Sequence, residues 1–281
     1  MPTKTRIRVL LAVLLVLSLA ACDESVEPQG DPMDAIAESF VKLVLAVGQH
    51  DADYVDAYFG PEAWQMEARD AALDLEEIRR RAVETLESLQ SLPPVEGNAL
   101  ASSRRFFMRK SLESLIARVD LLSGEPMTFD QESAALYDAT APRLSAEHFQ
   151  DILGQLDDRL PGEGSVLERY ETFKQDFVIP TDQLDRVFQA AIDACRRETQ
   201  EHIELPVEES FTVEYVTDKS WSGYNWYQGD NESLMQFNLD FPTKVSSAIS
   251  LGCHEGYPGH HVWNVLVENR LLNEKGWIEF Y

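Results

Sequence analysis

The sequence predicts a mainly α protein: a helical bundle, then a small antiparallel β-sheet, then a histidine-bearing helix that makes the C-terminal part α+β. Three observations predict it. From Met33 to Cys195, apolar residues recur at three- and four-residue steps, the period of amphipathic helices. Near residue 207 that period shortens to two. Beyond it, three of the six histidines fall in one octet, residues 254–261, between apolar helical segments.

Composition narrows the class. The chain has 281 residues, 44% hydrophobic and 26% charged, which suits a globular protein and excludes collagen-like, mucin-like or wholly disordered chains. Lys plus Arg is 24 and Asp plus Glu is 49, a net charge of −25. Such a surface repels phosphate backbones, so no nucleic-acid partner is expected. Three cysteines are too few for a disulfide scaffold.

Residues 1–21 read as a signal peptide. Lys4, Arg6 and Arg8 form a basic start, and Val9–Ala21 is a run of 13 almost wholly apolar residues. That is shorter than the ~20 needed to span a bilayer. The run ends Leu19-Ala20-Ala21-Cys22, which resembles the lipobox of bacterial lipoproteins. The resemblance implies cleavage before Cys22, lipidation of Cys22, and the membrane as a partner through that lipid. Residues 22–32 read as a tether: after Cys22, Asp23 to Pro32 carry two prolines and one apolar residue. Asp23 resembles the inner-membrane retention signal of enteric-type bacteria. The expected location is therefore the periplasmic side of a bacterial cell envelope, with the inner membrane slightly favoured. Cys195 and Cys253 remain after processing as a possible pair, at a distance that sequence does not give.

Residues 33–206 read as a helical domain. Met33, Ile36, Ala37, Phe40, Leu43, Val44 and Val47 form one apolar stripe; Leu75, Ile78, Ala82, Leu86 and Leu89 form a second. Leu112, Leu115, Ile116, Val119 and Leu122 form a third, stopped at Gly124. Ser165-x-x-Glu168 is a capping box for a helix carrying Val166, Tyr170, Phe173 and Phe177. Thr181, after Pro180, opens another with Leu184, Val187, Phe188, Ala191, Ile192 and Cys195. Breaks fall at Pro93-Pro94, Gly124-Glu125-Pro126 and Pro161 to Gly164. Arg79-Arg80-Arg81 reads as a solvated helix face, and His50, His148 and His202 are isolated.

Residues 207–281 read as the sheet plus the metal-site helix. Phe211, Val213 and Tyr215 alternate with Thr212 and Glu214. Trp221 to Gln228 is aromatic-rich, Gly229-Asp230-Asn231 signals a turn, and Leu234–Leu239 gives a further strand, here expected to line a cleft and pair with an extended peptide. Trp221, Tyr224, Trp226 and Tyr227 pack a core or line a groove.

The octet is His254-Glu255-Gly256-Tyr257-Pro258-Gly259-His260-His261. Imidazole is a common ligand of catalytic metals, and a Glu next to it is the base of H-E-x-x-H zinc hydrolases. Here Pro258 stands where that motif has its second histidine. On a regular helix His254 and His260 would lie about 120° apart. Pro258 removes an N–H and clashes with the carbonyl of residue 254, so the helix must kink or bulge there, and Gly259 tolerates the dihedrals required. If Pro258 and Gly259 loop out, His260 becomes the second ligand. His261 competes, on the same face as His254 but ~10 Å along the axis. Tyr257-Pro258-Gly259-His260 also fits a type II turn, which would leave the histidines on the surface.

His254, Glu255, Pro258, Gly259, His260 and His261 match the H-E-x-x-P-G-H-H hallmark of the bacterial family named domain of unknown function 885, which the chain resembles. Phe40-Val41-Lys42-Leu43, Tyr58-Phe59-Gly60-Pro61 and the acidic helical middle also look like its long helical variants. The resemblance implies a zincin-like arrangement in the C-terminal part, Zn²⁺ held by His254 and His260, and Glu255 as catalytic residue. Relatives take a third ligand from a downstream Glu in an E-G-x-A-type motif, which is absent here. Glu279 stands 19 positions after His260, followed by Phe280-Tyr281. The aromatic run Trp277 to Tyr281 wants burial, and the chain is expected to be a C-terminally incomplete version of a longer protein whose third ligand lies at Glu279 or beyond.

The expected activity is that of a lipid-anchored, zinc-dependent peptidase-like hydrolase acting on a peptide or amide, with Glu255 as general base to a metal-activated water. Tyr224 or Tyr227 is a candidate oxyanion partner. The alternative is a non-catalytic binding or metal-capturing lipoprotein with an incomplete metal site.

Overall fold

The computed structural model describes residues 31–281; the signal peptide, Cys22 and most of the tether lie outside them. Residues 31 and 32, read above as the end of the tether, instead start the first helix, α1 (Pro32–Val47). The Asp31 side chain accepts from Met33 N at 3.0 Å, and Pro32 takes the first helical position, where its missing N–H costs nothing.

Helices α2 (Glu62–Ala71), α3 (Leu75–Ser91) and α4 (Ala99–Leu122) follow. Asp74 caps α3 and Asn98 caps α4, each accepting a backbone N–H three residues on. The stripes read from the sequence meet in a first core of Ile36 and Phe40 from α1, Ile78 and Leu89 from α3, and Leu112 and Leu115 from α4. Each such side chain contributes roughly 1.5–3 kcal/mol by leaving water. The Arg79–Arg81 run lies outside, paired with Glu77, Glu84 and Asp120.

Three more helices, α5 (Phe129–Tyr137), α6 (Ala146–Arg159) and α7 (Val166–Gln175), contain no buried residue. The capping box of α7 forms as expected: Glu168 N donates to Ser165 Oγ at 3.3 Å and Ser165 N to Glu168 Oε2 at 2.9 Å. Helices α2, α5 and α6 are additions to the sequence reading. Local signals for two of them were present in the caps Thr128-x-x-Gln131 and Ser145.

A 3₁₀ turn at Thr181–Gln183 leads into α8 (Leu184–Gln200), then strands β1 (Ser210–Val216), β2 (Gly223–Gly229) and β3 (Glu232–Asn238). The sheet is mixed, not antiparallel. Its order is β1-β3-β2, with β2 antiparallel to β3 and β1 parallel to β3. The tight turn at Gly229, Asp230 and Asn231, all at positive φ, forces β2 and β3 antiparallel. The β1–β2 connection passes the end of β3, so β1 pairs on its far side. Hence β3, expected to pair with a peptide, is the central strand with both edges used; β2 and β1 are the edges.

Helices α9 (Val245–Glu255) and α10 (His260–Leu266) pack with α8 on this sheet. This second core holds Phe188, Ile192, Met235, Phe237, Tyr257 and Val262, with Phe188 stacked on Phe237 at 4.0 Å between ring centroids. A π-helical stretch (Val267–Asn273) and a 3₁₀ turn (Ile278–Phe280) return the chain to the first core. There Ile278 joins the apolar cluster, Phe280 stacks on Phe107 at 5.1 Å, and Tyr281 meets Trp64 edge-on at 5.9 Å. No described helix is long and apolar enough to cross a membrane.

Cys195 on α8 and Cys253 on α9 are disulfide-bonded, with Cα atoms 5.6 Å apart. The bond closes a loop spanning a sequence separation of 58 and ties α9 to its neighbour one residue before His254. Loop-closure entropy makes such a crosslink worth about 4 kcal/mol. Replacing both cysteines by serine is expected to lower unfolding free energy by about 2–4 kcal/mol, read as a lower urea midpoint under oxidising conditions.

Candidate functional site

The site is made where a helix is interrupted. Helix α9 ends at Glu255; Gly256, Tyr257, Pro258 and Gly259 leave the helical path; α10 starts at His260. The Tyr257–Pro258 peptide is cis. The interruption thus takes four residues rather than the two read from Pro258-Gly259. Gly256 N still donates to Gly252 O at 3.1 Å, and Gly259 N donates back to Cys253 O at 3.1 Å. The chain folds so tightly here that a Cβ on Gly259 would lie 1.7 Å from the carbonyl oxygen of His254. Only glycine fits this contact. Its consequence is that His254, at the end of one helix, and His260, at the start of the next, face each other, with ring centroids 4.8 Å apart and planes at 89°.

Glu255 lies between these histidines in sequence and is buried, at 4% exposure. Burial pushes its carboxyl above the usual carboxylate range, against the pull of the His260 and His254 imidazoles. The edge strand β2 covers it. A Cβ on Gly223 would sit 3.1 Å from Glu255 Oε1, so the strand approaches this closely because that position has no side chain. Asn225, two residues along β2, donates from Nδ2 to the Glu255 carbonyl at 2.8 Å and fixes the end of α9 against the sheet.

His261 has the opposite role. It is fully buried, its Nδ1 2.8 Å from Ser233 Oγ and its Nε2 2.9 Å from Glu209 Oε2. Glu209 also accepts from the Tyr257 hydroxyl at 2.5 Å and pairs with Arg196. Burial opposes ionisation of Glu209, but its bonds to His261 and Tyr257 and the Arg196 charge outweigh it and hold the carboxyl below its usual range. With both ring nitrogens engaged, His261 anchors α10 to β3. No local pattern marks Glu209 or Ser233 as members of this network, because their shared partner His261 lies 52 and 28 residues away.

Glu279 does not join the histidines. Its two oxygens accept from Arg104 Nε at 2.7 Å and Nη2 at 2.9 Å in a buried bidentate pair on α4. Among the described residues, no three His, Cys, Asp or Glu side chains converge where a metal ion could sit. The Tyr224 hydroxyl donates to Asp56 and that of Tyr227 to Glu268. Burial first, then the Asp56 bond, pushes the Tyr224 phenol up to about 12. Trp221, just before β2, and the β2 residues Tyr224 and Trp226 form a tilted, partly exposed aromatic row, with ring centroids 5.5 and 4.5 Å apart. His50, His148 and His202 are exposed.

The chain matches no family model, no curated protein and no solved structure.

Two expectations follow. Gly259→Ala must displace backbone, because its Cβ would meet the His254 carbonyl; a loss of about 2 kcal/mol or more is expected in denaturant unfolding, with the NMR signals of both histidine rings shifted. Glu209→Gln should cost about 3 kcal/mol at pH 7. The depressed carboxyl contributes stability above its ordinary value of 4.5 and loses it as pH falls through the lower folded value. The gap between Glu209→Gln and wild type is therefore expected to close in acid, read as converging melting temperatures.

Proposed function

We propose that the protein is a lipid-anchored, zinc-dependent peptidase-like hydrolase. The observation that carries this reading is the convergence of the His254 and His260 rings beside the buried Glu255 carboxyl. Two imidazoles bound to one tetrahedral zinc at Zn–N distances of about 2.1 Å have ring centres about 5 Å apart. The observed 4.8 Å fits that donor pair. His254 and His260 are the residues that would hold the ion. A bound zinc supplies Lewis-acid activation of water and of the scissile carbonyl.

The chain's own groups do the rest. Glu255 takes a proton from the attacking water and passes it to the leaving nitrogen, a task suited to a carboxyl held beside both histidines. Strand β2 carries no backbone pairing on its outer side among the described residues, so an extended peptide can add to it beside Glu255. Asn225 and the Gly223 backbone set the distance between that edge and the carboxyl. An edge strand laid along a histidine-bearing helix is the zincin-like arrangement, and the octet's likeness to the domain of unknown function 885 supports the same chemistry. The lipobox-like ending at Cys22 supports anchoring on the periplasmic side of a bacterial envelope.

A metal-capturing or binding lipoprotein is the second reading, favoured by the missing third donor among the described residues. Elemental analysis of the purified protein separates the two in combination with Glu255→Gln. The hydrolase reading expects one zinc per chain, lost in His254→Ala and His260→Ala. It also expects Glu255→Gln to keep the metal while peptide hydrolysis falls by at least about a hundredfold. Metal without hydrolysis in wild type supports the capturing reading. No metal in wild type sinks both metal-based readings.

A further inference from the structure

Two consecutive residues of α8 hold both sides of the helix interruption. Cys195 is disulfide-bonded to Cys253, in the last turn of α9. Arg196 pairs with Glu209, which accepts from the Tyr257 hydroxyl and lies 2.9 Å from His261 Nε2 on the far side of the break. The Arg196 guanidinium also lies over the Tyr257 ring, 5.3 Å from its centroid. One point on α8 thus grips the chain just before His254 and just after His260.

The near-side grip acts on the reversal directly. Cys253 supplies the carbonyl that receives Gly259 N–H at 3.1 Å, the bond that closes the four-residue excursion. A Cβ on Gly259 would lie 2.5 Å from that same oxygen and 1.7 Å from the carbonyl oxygen of His254, so the reversal has no slack there. A shift of Cys253 therefore passes to His254 on one side and, through Gly259, to His260 on the other. This grip also differs in kind from the far-side one. The Glu209 carboxylate is buried in its contacts, whereas both cysteines are half-buried and their bond opens by electron transfer alone. Opening it leaves α9 packed on α8. Gly252 still lies against Ala191 and Ile192, and Phe188 and Phe237 still close the core.

We propose that the Cys195–Cys253 pair is a redox switch on the paired histidines. Oxidised, it holds His254 and His260 face to face; reduced, it lets them part. The reductant is a dithiol. One of its sulfurs attacks a cysteine sulfur, the S–S bond breaks and a mixed disulfide forms; its second sulfur then displaces that cysteine. The dithiol leaves as a cyclic disulfide, having given two electrons and two protons, and Cys195 and Cys253 end as thiols. The consequence for zinc rests on the metal site proposed above; the pairing of the two rings does not.

The test uses the full-length protein, oxidised and after treatment with dithiothreitol. Nuclear Overhauser contacts between the His254 and His260 rings, in metal-free protein, read the pairing. Ring signals of Phe188 and Phe237 read the second core. Zinc titration, after the reductant is removed under argon, reads affinity. On reduction the contacts between the histidine rings are expected to disappear while the core signals stay, and zinc to bind about tenfold more weakly, all reversed by reoxidation. Cys195→Ser/Cys253→Ser is the second variant, expected to show parted rings and weak zinc binding with or without dithiothreitol. Histidine contacts that survive both reduction and the double substitution overturn the proposal. So does a disulfide that dithiothreitol opens only in denaturant. Loss of the Phe188 and Phe237 signals along with the histidine contacts also overturns it, because the bond is then a staple of the whole core. Tighter zinc binding by the reduced wild type than by the double variant does so too, since the freed thiols are then ligands. Redox-dependent pairing with no zinc bound in either state leaves the switch standing and removes both metal-based readings. Equal zinc binding in both states, with the rings unmoved, does the reverse.

Discussion

The approach of the Gly259 backbone to the carbonyl of His254 governs the candidate site. On a continuous helix, residues 254 and 260 point about 120° apart and cannot share a ligand. Four residues leave the helix and the chain closes back on itself, with Gly259 N donating to Cys253 O. The two imidazoles then meet. A side chain at Gly259 would occupy the space of that carbonyl, so the geometry depends on a missing Cβ. Gly223 repeats the device on the facing strand, where absence of a side chain lets β2 lie against Glu255.

A tight reversal needs rigid surroundings, and two covalent or polar ties supply them. The Cys195–Cys253 disulfide holds the last turn of α9 to α8. The Glu209 carboxylate gathers His261, Tyr257 and Arg196, which fixes the first turn of α10 and the interruption itself. Adjacent histidines thus divide the work. His260 is exposed and turned toward His254, while His261 is spent on the core. The C-terminal return adds a third tie, since the buried Arg104–Glu279 pair and the Phe107–Phe280 stack join the second core to the first.

Much of the fold was legible locally. The stripes of α1, α3, α4 and α8 and the capping box of α7 announced themselves because a helix's burial period is written within a few residues. Helices α5 and α6 were less legible, since no residue of either is buried and their caps alone marked them. The sheet's content was readable from alternation at Phe211, Val213 and Tyr215, but its order was not. Parallel pairing of β1 with β3 depends on a connection whose path leaves no periodic trace. Glu279 shows the same limit at the site. Its spacing after His260 made it a ligand candidate, whereas Arg104, 175 residues earlier in the chain, claims both its oxygens.

The sequence by itself determined the class and the cast: mainly helical, strongly acidic, with three of the six histidines gathered around a forced break at Pro258-Gly259. Those are properties of residue type and short spacing, which act over a few ångströms of chain. Tertiary structure decided which histidine turns inward, which strand offers an edge, where Glu279 goes, and that Cys195 and Cys253 lie within bonding distance. Each of these is settled by groups tens to hundreds of residues apart competing for the same partner, and sequence spacing carries no record of that competition.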